Sequence, residues 1–104
     1  MTLQFSQGAE EKAAAAVRWY NDQRDDLGDE FLDALQQMLA AIESTPRLYS
    51  KISGVNAHRE LRHAVMRRFP YRIVFEVKCD LSLVVLAVAH VRRHPDYWRQ
   101  RTDE

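Results

Sequence analysis

Between Tyr71 and Lys78 the side chains divide by parity. Tyr71, Ile73, Phe75 and Val77 point one way, while Arg72, Val74, Glu76 and Lys78 point the other. That two-residue period belongs to a β-strand. A few residues on, Leu83 to Ala89 is unbroken apolar sequence, the pattern of a strand buried on both faces. Lys78 to Ser82 forms the tight turn between them. The hairpin constrains the rest of the chain, which has to cover it.

The first half supplies the cover. Leu3-Gln4-Phe5-Ser6 alternates briefly and reads as a short first strand. Ser6 stands where a helix N-cap is needed, and Glu10 and Glu11 suit the positive end of a helix dipole. Ala13, Ala16, Val17 and Tyr20 then recur at helical spacing between Ala9 and Arg24. Asp25 to Gly28 read as a turn. Phe31, Leu32, Leu35, Met38, Leu39 and Ile42 make a wider apolar stripe, stopped ahead of Pro46 because the residue before a proline disfavours helix. Two helices joined by so short a turn pack as an antiparallel hairpin.

Arg47 to His58 has no clear period, and a structureless connection of that length points to function or mobility. Arg59 to Arg68 reads as a strand whose register is open, since both parities mix polar and apolar residues. Pro95 opens a last short helix from Asp96 to Arg101. The expectation is a single α+β domain, 1–104, ordered β-α-α-β-β-β with a short C-terminal helix. The helical hairpin should cover one face of a small, mostly antiparallel sheet. Val17, Tyr20, Phe31, Leu35, Met38 and Ile42 should meet Ile73, Phe75, Val85 and Ala87.

Composition narrows the class. At 104 residues the chain has room for one domain, and 46% apolar with 29% charged residues excludes disorder. No apolar run approaches the roughly 18 residues of a membrane span, and the N-terminus lacks the pattern of a secretory signal, so a cytoplasmic location is expected. A single cysteine, Cys79, excludes an internal disulfide and a multi-cysteine zinc site. The histidines have no metal-ligand spacing, and no glycine-rich phosphate loop is present, so neither metal nor cofactor is expected. Net charge is zero, but residues 1–50 hold four basic and nine acidic side chains, and residues 51–104 eleven basic and six acidic. Twelve of the fifteen basic residues are arginine, which suits paired contacts to carboxylate or phosphate. An acidic partner for the C-terminal half is the preferred reading, set against a solvated surface of mixed sign.

The chemistry-bearing residues flank the last strands: Arg62, Arg67, Arg68, Tyr71, His90, Arg92, Arg93, Tyr97 and Trp98. Metal-free RNA cleavage needs a base, an acid and cations on the transition-state phosphate. His90 or Tyr97 suit proton transfer, and Arg62 or Arg93 suit the phosphate. The structural alternative is as concrete: His90 bonds a loop carbonyl, and Tyr97 and Trp98 cap the core. Trp19 lies off the main stripe of the first helix, either a core-edge residue or a partner contact.

Phe69-Pro70-Tyr71-Arg72-Ile73-Val74-Phe75, followed by Val85-Leu86-Ala87-Val88-Ala89-His90-Val91-Arg92-Arg93-His94-Pro95-Asp96-Tyr97-Trp98, resembles the C-terminal half of the ParE/RelE toxin superfamily, especially its ParE-like members. Trp19-Tyr20, Leu27-Gly28, Phe31 with Leu35, and Pro46 look like that family's helical hairpin. The likeness covers nearly the whole chain apart from Ser50 to His58. It implies the toxin of a type II toxin–antitoxin pair, held in a hetero-oligomer by the acidic C-terminal segment of its antitoxin. Trp19, Arg62, Arg67, Arg68, Arg92, Arg93 and Trp98 are the expected partner contacts. ParE-like members block DNA gyrase without an established catalytic set. RelE-like members cut messenger RNA on the ribosome, and on that branch His90, Tyr97, Arg62 and Arg93 would be catalytic. This chain departs from the RelE pattern, with only Lys12, Lys51 and Lys78 and no lysine pair on the second strand. Gyrase is therefore the expected target, ribosome-bound messenger RNA the alternative, and a non-toxic antitoxin-binding module the third reading.

Overall fold

A computed structural model describes residues 3–52, 59–80 and 82–91. Strand β1 (Leu3–Phe5) leads into helices α1 (Gln7–Gln23) and α2 (Leu27–Ser44), followed by β2 (Ser50–Lys51), β3 (Glu60–Val65), β4 (Tyr71–Val77) and β5 (Leu83–His90). The sheet order is β1-β5-β4-β3-β2. β1 pairs parallel with β5, and every other pairing is antiparallel. Both helices lie on one face, where Tyr20, Phe31, Leu35 and Ile42 meet Ile73, Phe75 and Val85, with Val17 and Met38 at the margin. The expected α+β architecture is present.

Ser6 makes the first junction. Its Oγ accepts from the Ala9 N–H at 3.2 Å, capping α1, and its hydroxyl donates to the Leu86 carbonyl at 3.2 Å. The helix start is thereby tied to β5 at an irregular point. Val74 pairs with Ala87 but Phe75 pairs with Val85, so Leu86 is an extra residue, a β-bulge. This overturns one expected contact. Unbroken alternation would put Ala87 beside Val85 under the helices. The bulge shifts the phase, so Ala87 joins Leu61 and Val74 on the far face, and Val88 takes its place in the main core. His90 arrives on the helix side, its ring edge-on to Tyr71 at 5.4 Å.

The helical turn is shorter than the sequence suggests. Leu27 and Gly28 already belong to α2, because Asp26 reverses the chain in a left-handed conformation with φ 67. Gly28 then donates its N–H to Asn21 Oδ1 at 2.8 Å. A Cβ at this position would lie 2.3 Å from the Val17 carbonyl oxygen, so glycine alone permits this helix–helix approach.

The connection after α2 is also more ordered than expected. Pro46–Leu48 form a 3-10 turn, and β2 pairs through Ser50 with His63 and through Lys51 with Arg62, adding a fifth strand. The expected strand over Arg59 to Arg68 narrows to Glu60–Val65. Beyond it the Met66 N–H bonds the Tyr71 carbonyl and the Tyr71 N–H bonds the Phe69 carbonyl, turning the corner into β4. The expected C-terminal helix, Asp96 to Arg101, lies outside the described residues, as do residues 53–58.

Candidate partner-binding surfaces

One end of the molecule is aromatic. Tyr20 stacks on Phe31 at 5.3 Å, and Phe69 and Tyr71 meet both rings edge-on at 4.9 to 6.2 Å. Two candidate residues border this cluster. Trp19 stands edge-on to Tyr20 at 5.0 Å and is 46% exposed, so it extends the cluster to the surface. His90 closes the opposite side against Tyr71. Arg92, Arg93, Tyr97 and Trp98 follow in sequence and lie outside the described residues.

The arginines divide by what holds them. Arg62 is on the helix side of β3, opposite Phe75, whereas His90 is opposite Tyr71 two strands away. Their Cα atoms are therefore on the order of 15 Å apart by strand geometry. The structure does not bring the two together. Arg62 is committed elsewhere: its Nε donates to Glu60 at 2.8 Å, and one terminal nitrogen donates to the Tyr49 carbonyl at 2.7 Å. Glu60 also takes two bonds from Arg47, at 3.0 and 3.1 Å. The result is a clasp holding the segment after α2 against β3. Arg68 pairs with Glu30, whose other oxygen accepts from Arg24 at 2.7 Å. Arg67 is exposed and has no ion pair or hydrogen bond among the described residues.

The clasp has a pH signature. Hydrogen bonds from Arg47 and then Arg62 hold the Glu60 carboxyl down at about 2. Because the folded-state value lies below that of a free glutamate, the unfolded chain takes up the proton first as pH falls. The clasp's contribution is complete above about pH 4.5 and is lost toward pH 2. Denaturant unfolding between pH 5 and pH 2.5 should therefore show a shallower loss of stability in Glu60→Gln than in the wild type. Identical slopes would mean that the clasp contributes nothing to the fold.

Two grooves flank α2. One lies between α1, α2 and the edge of β1, and its lining is mostly apolar, with Phe5, Ala13, Val17, Leu32, Leu35 and Leu39 among the residues. Leu32 is 39% exposed there. The other lies between α2 and the β3–β4 corner, bordered by Glu30, Asp33, Met38, Met66, Arg67 and Arg68. Since residues about 180° apart around a helix face opposite ways, the two grooves run along opposite flanks of α2.

The sheet face turned away from the helices carries Arg59, Arg72, Glu76 and Lys78 around an apolar middle. Leu61, Val74 and Ala87 occupy its middle, fully buried. His63 and Arg72 are diagonal neighbours on it, each opposite a valine of the adjoining strand. Burial, and then the Arg72 charge, push the His63 imidazole below its usual value, so it is uncharged near neutrality. Its Nδ1 has no hydrogen-bond partner among the described residues. The Glu76 carboxylate is buried and takes both Nε and a terminal nitrogen of Arg59, at 3.0 and 2.6 Å, which lowers its pKa. Sequence reasoning missed this face because the register of β3 was undetermined. Among the described residues no group of three or more His, Cys, Asp or Glu is placed to hold a metal ion, and no helix is long and apolar enough to cross a membrane.

A helical hairpin on one face of a five-stranded mixed sheet, with two grooves along α2, defines a small α+β domain. The family described as "ParE toxin of type II toxin-antitoxin system, parDE" matches residues 3–95, and the chain belongs to it. Among solved structures, the chain is similar to one of the chromosomal ParDE toxin–antitoxin system of P. aeruginosa. The TM-score is 0.64 at 18% identity, with 86% of this chain and 95% of that one covered. It is also similar to a mutant of the E. coli toxin RelE in the free state, with TM-score 0.56 and 17% identity over 94% of this chain and 90% of that one. No curated protein matches the chain significantly. The protein is thus a member of the toxin family of type II toxin–antitoxin systems.

Proposed function

We propose that the toxin acts by binding DNA gyrase, and that an antitoxin neutralises it by laying an amphipathic helix in the apolar groove between α1, α2 and β1. The observation that carries the first part is the match to the ParE toxin family over residues 3–95. Cutting RNA demands several cations around the scissile phosphate. On the far face of the sheet Leu61, Val74 and Ala87 are fully buried, and the cations of Arg59 and Lys78 are both paired with Glu76. Arg72 is the one arginine that β4 contributes to that face. The second part follows from groove chemistry: an apolar trough between two helices accepts a helix with anchors at i, i+3, i+4 and i+7. Glu10, Arg18 and Gln36 are polar residues of that groove's lining, whereas Arg67 and Arg68 line the other groove, on the opposite flank of α2.

Induced expression without the antitoxin tests the target. The expected result is a DNA-damage response in cells and inhibited gyrase supercoiling by the purified protein. Ribosome-dependent cleavage of messenger RNA would place the chain on the RelE-like branch instead. Unimpaired growth at full expression would leave an antitoxin-binding module without toxicity.

A further inference from the structure

The groove between α2 and the β3–β4 corner is divided lengthwise by charge. Glu30 and Asp33 stand on the α2 side, Arg67 and Arg68 on the corner side, and Met38 and Met66 lie between. Glu30 and Arg68 already bond each other, and Glu30 takes Arg24 as well. Asp33 and Arg67 are both exposed and carry no hydrogen bond or ion pair among the described residues. Each wall therefore keeps one charge unspent, and the two are of opposite sign. The groove's other end is apolar, where Ala41 and Tyr49 complete the lining. Leu48, next to Tyr49, is 82% exposed, the highest value among the large apolar side chains of the described residues. An exposed leucine beside an apolar recess marks a contact surface.

We propose that this groove is the contact surface between two copies of the chain, related by a two-fold axis lying along the groove. Rotation about that axis carries each acidic wall over the other copy's basic wall. Asp33 of one copy then meets Arg67 of the other, and the pair forms twice. Levels along the groove are kept, so the apolar ends at Ala41 and Tyr49 face each other, with Leu48 beside them. Charge complementarity selects a second copy. An acidic ligand would face Asp33 with its own sign, and a basic ligand would do the same to Arg67. A copy of this chain brings both charges in reverse order. The same opposition runs through the sequence: residues 1–50 hold four basic and nine acidic side chains, and residues 51–104 eleven basic and six acidic. Helix α2 belongs to the first half and the corner to the second. Ten residues line the groove, against roughly 20–30 a side in a standard interface, so the association is weak, with a Kd on the order of 100 μM. The apolar groove on the opposite flank of α2 stays uncovered in the pair.

Sedimentation equilibrium of the purified toxin, from about 5 to 500 μM and from about 50 to 300 mM salt, measures the association. The wild type should dimerise, about fivefold more weakly at the higher salt. Arg67→Glu sets carboxylates against Asp33, and Asp33→Arg sets guanidiniums against Arg67. Each alone should weaken dimerisation about tenfold or more. An equimolar mixture of the two variants tests the arrangement itself. In the mixed pair both contacts again join opposite charges, so the heterodimer should form about as tightly as the wild-type dimer. Neither side chain bonds another within the described fold, and thermal unfolding of each variant checks that the corner is intact. A wild type that stays monomeric over the whole range would overturn the proposal and leave the groove to a different partner. Dimers unaffected by either substitution would overturn this face as the interface. Two weakened variants whose mixture stays monomeric would overturn the two-fold pairing of Asp33 with Arg67.

Discussion

Replacing Phe31 by alanine should lower the free energy of unfolding by about 3–5 kcal/mol, the largest loss expected from any single truncation in this core. Phe31 is fully buried at the start of α2 and touches three other rings: Tyr20 at 5.3 Å, Phe69 at 5.2 Å and Tyr71 at 5.1 Å. Those rings come from α1, the β3–β4 corner and β4, so one side chain joins three elements. Truncation forfeits the transfer free energy of the ring and leaves a cavity. Collapse around it is resisted because Tyr20 and Tyr71 are held by their own helix and strand. Leu35→Ala, one turn further along the same face, should cost about 2–5 kcal/mol for the same reason, at a site 2% exposed. Urea unfolding at neutral pH reads both. A loss below about 1 kcal/mol at either position would mean that α2 packs on a different face in solution.

The elements of the fold were legible where polarity contrasts along the chain, and hidden where it does not. Ser6 as a cap, the stripe from Phe31 to Ile42 and the parity of Tyr71 to Val77 all carry a polar-to-apolar contrast, and each holds. The bulge at Leu86 sits inside a run where every residue is apolar, so a shift of phase leaves no mark on the sequence. That concealed shift decides where Ala87, Val88 and His90 face. β2 escaped notice because two residues are too few to show a period; it exists through its pairing with β3. The candidate site was legible only in part. Trp19 was recognised as off the apolar stripe, and its exposure agrees. The division of labour among Arg62, Arg67 and Arg68 was not, since it depends on carboxylates far away in sequence: Glu30 lies 38 residues from Arg68. The side of Arg72 was read from β4, but the placement of His63 beside it was hidden by the mixed parity of Glu60 to Val65.

Tyr97→Phe should remain toxic, whereas Trp98→Ala or Arg93→Ala should lower gyrase inhibition by roughly thirtyfold or more. The expectation follows from what each activity requires. Inhibition by binding moves no proton, so the loss of one hydroxyl leaves an aromatic contact in place. Binding energy concentrates instead in aromatic and arginine anchors, whose truncation costs at least about 2 kcal/mol. RNA cleavage by proton transfer would reverse the order, with Tyr97→Phe and His90→Ala each reducing the rate roughly 10²–10⁴-fold. His90 supports the first pattern. The bulge at Leu86 turns it to the helix side against Tyr71, on the opposite face of the sheet from His63 and Arg72, the imidazole–guanidinium pair of the far face. Arg62, the cation paired with it in a nuclease reading, is held by Glu60 and the Tyr49 carbonyl. Among the described residues, then, His90 and Arg62 do not share one site, and Arg93 and Tyr97 lie outside those residues. Supercoiling assays on the four variants, beside ribosome-dependent cleavage assays on the same preparations, separate the two orders. Cleavage by the wild type that disappears in Tyr97→Phe would reverse the assignment.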